Sequence, residues 1–209
     1  MTPNQLPLGM SDSTSKAAVI ANVCAALSAD ESDRAKTIAR SEYPFDPAQH
    51  GGRRYTPFQS LEIFLRDGFF DRYSGIRLVF PGTLRLLSHL LPAEFPTHPN
   101  WKMAESHFVY WELFPTIDHL EPVARGGRDS ADNWVCTSML RNSAKSNWTL
   151  AELGWQLFPR GDPAEWDGLT TWFIDATRRH PEWITSAYLH RWRSAAVRLL
   201  GRTEPSRRQ

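Results

Sequence analysis

DHLEPVARGGRDSADNWVCTSMLRNSAKSN, Asp118 to Asn147, is the stretch on which the reading of this chain turns. An Asp-His pair opens it. An Asn follows fourteen residues after the His, a second Asn nine residues later, and a Lys three after that. A histidine is partly neutral near pH 7 and can take a proton from water. A carboxylate and an amide oxygen are hard ligands suited to Mg²⁺. A cation so held stabilises a phosphate oxygen and a leaving oxyanion. Together these residue types suit metal-assisted phosphodiester hydrolysis. Singly, each has a plainer reading: Asp-His as surface decoration, Asn before a strand as a turn.

Just before the pair, Phe114-Pro115-Thr116-Ile117 is apolar and β-branched, which predicts a short strand with Asp118 and His119 at its end. Gly126-Gly127 followed by Arg128-Asp129-Ser130 is turn chemistry. Asn133 to Thr137 reads as the returning strand. Ser138 suits the N-cap of a helix running to about Asn147. On that helix Asn142 and Lys145 are three apart and share a face.

The segment resembles the HNH nuclease family. The residues that carry the likeness are Asp118-His119, Pro122, Gly126-Gly127, Asn133, Asn142 and Lys145. Asn at the third motif position is similar to the HNH domain of RNA-guided CRISPR effector nucleases. The resemblance covers roughly residues 61–150 and implies a ββα-metal finger around one ion. It implies Asp118 and Asn142 as ligands of Mg²⁺ or Mn²⁺. It implies His119 as general base, Asn133 as the residue that orients His119 or fixes its loop, and Lys145 as an electrostatic partner of phosphate. Many relatives also carry a zinc-binding Cys₄ knuckle. Here Asp71 and Ser74 stand at the first thiol pair, Ser138 and Arg141 at the second. Structural zinc wants four Cys or His ligands, so no structural zinc is expected. An Asp71–Arg141 ion pair is the expected substitute; the alternative is an ordinary diverged loop.

The chain has 209 residues, 41% of them hydrophobic, and two cysteines, Cys24 and Cys136. That suits a globular protein without a disulfide framework, and a cytoplasmic location is expected. No apolar run reaches the ~18 residues that span a bilayer, and residues 1–15 read as a polar tail rather than a signal peptide. The net charge of +1 is unevenly spread: residues 177–209 hold eight Arg and two acids, giving +6, and the rest carries −5. A basic C-terminal face could neutralise DNA phosphates; the plain alternative is a solvated helix surface.

Helices are predicted over 16–29, 31–41, 58–67, 84–91, 149–157, 167–179 and 185–200. Gly51-Gly52-Arg53-Arg54 reads as a linker. His89, His107 and Glu112 read as structural, and the C-terminal tryptophans as core. On a helical wheel of 185–200, Tyr188, Trp192, Ala195, Ala196 and Leu199 lie opposite His190, Arg191, Arg193 and Arg198.

The expected fold class is α+β, mostly helical, with an HNH core flanked by N- and C-terminal helices. The expected segments are a tail and helical extension (1–55), a nuclease core (56–150) and a C-terminal extension with a basic face (151–209). Arg125, Arg128, Arg191, Arg193 and Arg198 are the expected nucleic-acid contacts. The expected activity is metal-dependent cleavage of DNA, with restriction or phage defence as the role by family analogy. A catalytically inactive DNA-binding module and an intracellular RNA-directed nuclease stay open as alternatives. Double-strand cleavage would call for two copies or a partner protein, and no membrane partner is expected.

Overall fold

The structure, a computed structural model, describes residues 16–44 and 55–203. The polar tail 1–15, the stretch 51–54 and Arg207-Arg208 lie outside the described residues. The chain divides into two units, 1–51 and 52–209. The expected segments 56–150 and 151–209 therefore fall in one unit.

In the first unit, α1 (Lys16–Ser28) and α2 (Ser32–Glu42) form a hairpin that buries Val19, Ala26 and Ala35. Asp30 turns the chain between them with φ +60°, a conformation Asp tolerates better than most residues.

The second unit is mixed α and β, mostly helical, with one two-stranded antiparallel sheet. Thr56 and Gln59 form a reciprocal capping box that starts α3 (Pro57–Arg66), with Pro57 in the first turn. Next come α4 (Pro81–Leu90) and the single turn α5 (Val109–Glu112). Strands β1 (Pro115–His119) and β2 (Trp134–Ser138) pair with Ile117 opposite Cys136 and His119 opposite Trp134. Helix α6 (Met139–Lys145) follows directly, capped by Ser138, whose hydroxyl accepts from Arg141 N at 3.2 Å. The chain ends in α7 (Leu150–Leu153), α8 (Thr170–Arg179) and α9 (Ala187–Thr203).

One core joins these pieces. Leu61 and Phe64 of α3, Cys136 of β2, Phe173 of α8 and Leu189 and Trp192 of α9 are buried together. The rings of Phe64 and Trp192 stack at 6.4 Å. The sheet is therefore backed by α3, and α3 by α9.

Several boundaries differ from the expected ones, and single residues account for them. The helix expected from 84 begins at Pro81, whose fixed φ suits a first helical position. That expected over 149–157 stops at Leu153 because Gly154 turns left-handed, φ +64°. The helix expected from 167 starts at Thr170, after Gly168 and Leu169 both adopt positive φ. A Cβ on Gly168 would sit 2.5 Å from the Phe69 ring, so the position requires Gly. The helix expected to Asn147 ends at Lys145, since Ser146 has φ +47°.

Two buried carboxylates bind the 67–76 turn to β2. Asp67 accepts from Cys136 N at 2.8 Å and meets the guanidinium groups of Arg66, Arg72 and Arg160 at 2.9, 3.4 and 3.2 Å. Asp71 accepts from Tyr73 N (2.8 Å), Thr137 Oγ1 (2.9 Å) and Ser138 N (3.0 Å). The expected Asp71–Arg141 pair is thus replaced. Backbone N–H groups and a hydroxyl occupy the carboxylate, and the Arg141 guanidinium lies over the Trp155 ring at 5.2 Å.

Candidate active site

Strand β1 ends with Asp118 and His119 both largely buried. Asp118 Oδ2 accepts from the Tyr73 hydroxyl at 2.7 Å and faces Lys145 Nζ at 2.9 Å. Lys145 has no exposed surface, and its ammonium also donates to the His119 carbonyl at 2.7 Å. A buried ammonium is tolerated only when it is paired, and here carboxylate and carbonyl share it. Burial, and then the charge of Asp118, push the Tyr73 hydroxyl well above its usual range. Tyr73 therefore stays protonated and remains a donor to Asp118.

Helix α6 brings Asn142 to the same place. Its Nδ2 donates to Thr116 Oγ1 (3.0 Å) and to the Ile117 carbonyl (3.2 Å), beside Asp118. Among the described residues, no hydrogen bond engages Asn142 Oδ1 or Asp118 Oδ1. Those two oxygens are hard donors, and a Mg²⁺ ion fits them in kind. With one carboxylate and one amide, water and substrate oxygens would have to complete the shell.

His119 is held from the other side. Its Nε2 lies 2.8 Å from Asp129 Oδ1 and 3.1 Å from Trp134 Nε1. Trp134 Nε1 also donates to Asp129 Oδ1 at 2.9 Å, and the Tyr55 hydroxyl at 3.1 Å. The hydrogen bond from His119, helped by those from Trp134 and Tyr55, lowers the Asp129 carboxyl below its usual range. Among the described residues, no hydrogen bond engages His119 Nδ1.

Asn133 braces the loop that carries these groups. Its amide accepts from Glu121 N at 2.9 Å and donates to the carbonyls of Glu121 and Arg128, each at 2.8 Å. Of the two roles expected for Asn133, this geometry is the loop-fixing one. Gly127 is part of the same fit, since a Cβ there would collide with the Glu121 carbonyl.

The structure thus brings Lys145 to the Asp118 carboxylate and the His119 carbonyl and Asn142 to Thr116 and the Ile117 carbonyl, while Asn133 holds the loop after β1 and the His119 ring is engaged separately by Asp129 and Trp134. Lys145 differs from expectation: full burial on Asp118 leaves it no face for a phosphate. The arginines divide. Arg125 Nη1 donates to both oxygens of Glu152, at 2.7 and 2.6 Å, and this contact foremost brings the Glu152 carboxyl to about 2. Arg128 and Arg191 are exposed. Arg198 is exposed too, with its guanidinium 4.4 Å from the Phe58 ring centroid. Arg193 departs from the wheel: it is half-buried and donates from Nε to Thr177 Oγ1 at 3.2 Å. It follows Leu189 by four residues and precedes Ala196 by three, so it borders the buried stripe of α9.

Sequence reasoning missed Tyr55, Tyr73, Asp129 and Trp134. Asp129 lies in a stretch that reads as a turn, and Tyr55 is 64 residues before His119. Neither spacing carries a local signal.

No family model, no curated protein and no solved structure matches this chain. Among the described residues, no helix is long and apolar enough to cross a membrane.

Proposed function

We propose that this protein is a metal-dependent endonuclease of the HNH type that hydrolyses phosphodiester bonds in DNA. One observation carries the reading. An antiparallel strand pair whose first strand ends in Asp118 and His119 is followed at once by a helix from which Lys145 pairs with the Asp118 carboxylate and Asn142 bonds to the backbone of that strand. That order of elements is the one a ββα-metal finger calls for. Further support comes from two of the positions where many HNH proteins carry zinc thiols, since Asp71 there accepts a hydrogen bond from Ser138 N.

His119 Nδ1 takes a proton from the attacking water. Lys145 and Tyr73 hold Oδ2 of Asp118, which leaves Oδ1 for the ion. Lys145 also cancels the charge of Asp118, so an incoming phosphodiester meets less repulsion than a bare carboxylate would exert. Mg²⁺ or Mn²⁺ held by Asp118 and Asn142 would supply Lewis-acid stabilisation of the phosphate and its leaving oxygen. Asn133 keeps the connecting loop in place. Arg128, Arg191 and Arg198 offer exposed positive charge for the backbone. One such site cuts one strand.

Plasmid DNA and a structured RNA, each incubated with the protein in Mg²⁺ and in EDTA, test the proposal. Nicking of DNA in Mg²⁺ alone is the expected result. Cleavage of RNA alone would reassign the substrate, and binding of DNA without cleavage in any divalent metal would make the protein a binding module.

A further inference from the structure

The geometry points to Asp129 as the positioning residue that fixes the tautomer of His119 and so makes Nδ1 the proton acceptor. The significance of that tautomer for catalysis rests on the nuclease reading; the geometry itself does not.

Two hydrogen-bond acceptors do not settle 2.8 Å apart without a proton between them. Asp129 Oδ1 and His119 Nε2 are at that distance, and the carboxylate has no proton to give. Nε2 therefore carries the hydrogen and donates it to Asp129. A neutral imidazole has one N–H, so its lone pair falls on Nδ1. Two further donors, Trp134 Nε1 and the Tyr55 hydroxyl, reach the same Oδ1 at 2.9 and 3.1 Å and hold the carboxylate in place. The Tyr55 and Trp134 rings meet edge to face at 5.0 Å, a favourable contact that sets the two donors side by side.

Trp134 gives the arrangement its consequence. Its indole N–H lies 3.1 Å from Nε2, in reach of that nitrogen, and Asp129 is the competing acceptor. With Asp129 gone, the indole would donate into the Nε2 lone pair. The imidazole proton would then move to Nδ1, and the ring would present an N–H where the reaction needs a base. Asp129 thus decides between a competent and an incompetent form of the same histidine.

The test is long-range ¹⁵N–¹H NMR of the full chain, about two pH units above the ordinary histidine value of about 6.5. The His119 signal is assigned by its loss in His119→Ala. Wild type should show the Nε2–H tautomer. Asp129→Ala should show Nδ1–H, and Asp129→Ala/Trp134→Phe, which removes the competing donor, should restore Nε2–H in part. In cleavage, Asp129→Ala should lower kcat by about 10²-fold and leave KM for DNA within about twofold. The double variant should recover part of kcat. An Nδ1–H tautomer in wild type, or an unchanged tautomer in Asp129→Ala, overturns the assignment whatever the activity. If the tautomers switch as expected but no variant and no wild type cuts nucleic acid, the coupling stands and the nuclease reading falls. Circular dichroism of Asp129→Ala checks its fold, and Tyr55→Phe, which removes one donor to Oδ1, should give a smaller shift in the same direction.

Discussion

Lys145 is the residue on which the local electrostatics of the site depend. Its ammonium has no exposed surface and touches the Asp118 carboxylate and the His119 carbonyl. Lys145→Met keeps the length of the side chain but strands Asp118, whose side chain is 11% exposed, with the Tyr73 hydroxyl as its one remaining side-chain partner among the described residues. Removing one member of a buried ion pair costs about 3 kcal/mol or more. Urea unfolding should therefore show a lower midpoint with an unchanged slope. Adding Asp118→Asn, which removes the stranded charge, should recover part of the loss. A Lys145→Met protein as stable as wild type would mean that the pair contributes nothing.

Among the elements, the turn at 67–76 and strand β2 are joined through the buried carboxylate of Asp71. Asp71 receives two backbone N–H groups and the Thr137 hydroxyl in a fully buried position. Asp71→Ala leaves three buried donors without an acceptor, at about 1–3 kcal/mol each before relaxation. The thermal midpoint should fall by about 5 °C or more, and added zinc should not restore it. A shift of less than a degree would remove Asp71 from this role. The strand pair and α6 were readable from the sequence because an apolar, β-branched run, a Gly-Gly turn and a Ser cap act within a few residues. The partner of Asp71 was not, since which of Arg141 and the backbone wins depends on how β2 lies against the turn. Asp118, His119 and Asn142 were singled out through the resemblance of one local segment, whereas Tyr73, which bonds to Asp118, and Asp129, which bonds to His119, carry no local signal. Helix starts at Pro81 and Thr170 were missed because Pro and Gly read as loop, though here one opens a helix and the other passes close to Phe69.

Across the protein, charge is distributed so that the last thirty-three residues carry +6. On α9 that excess is less uniform than its sequence suggests. Arg193 is tied to Thr177, and Arg191 and Arg198 remain exposed on the groove beside Phe58 at the start of α3. Thr56, which lines that groove, follows Tyr55 in the chain, and the Tyr55 hydroxyl donates to Asp129. Arg191→Ala/Arg198→Ala should weaken DNA binding and reduce the log–log salt slope by about 0.9 for each phosphate these side chains neutralise. Binding titrations over a range of salt measure this, and an unchanged slope in a folded variant would make α9 a solvated surface. The proposed cleavage of DNA depends on His119 being the base of the centre. Single-turnover plasmid cleavage in Mg²⁺ by wild type and by His119→Ala decides that point. Wild type should cut, and His119→Ala should be slower by about 10²–10⁴-fold with its DNA affinity intact. Equal rates for the two proteins would contradict the assignment.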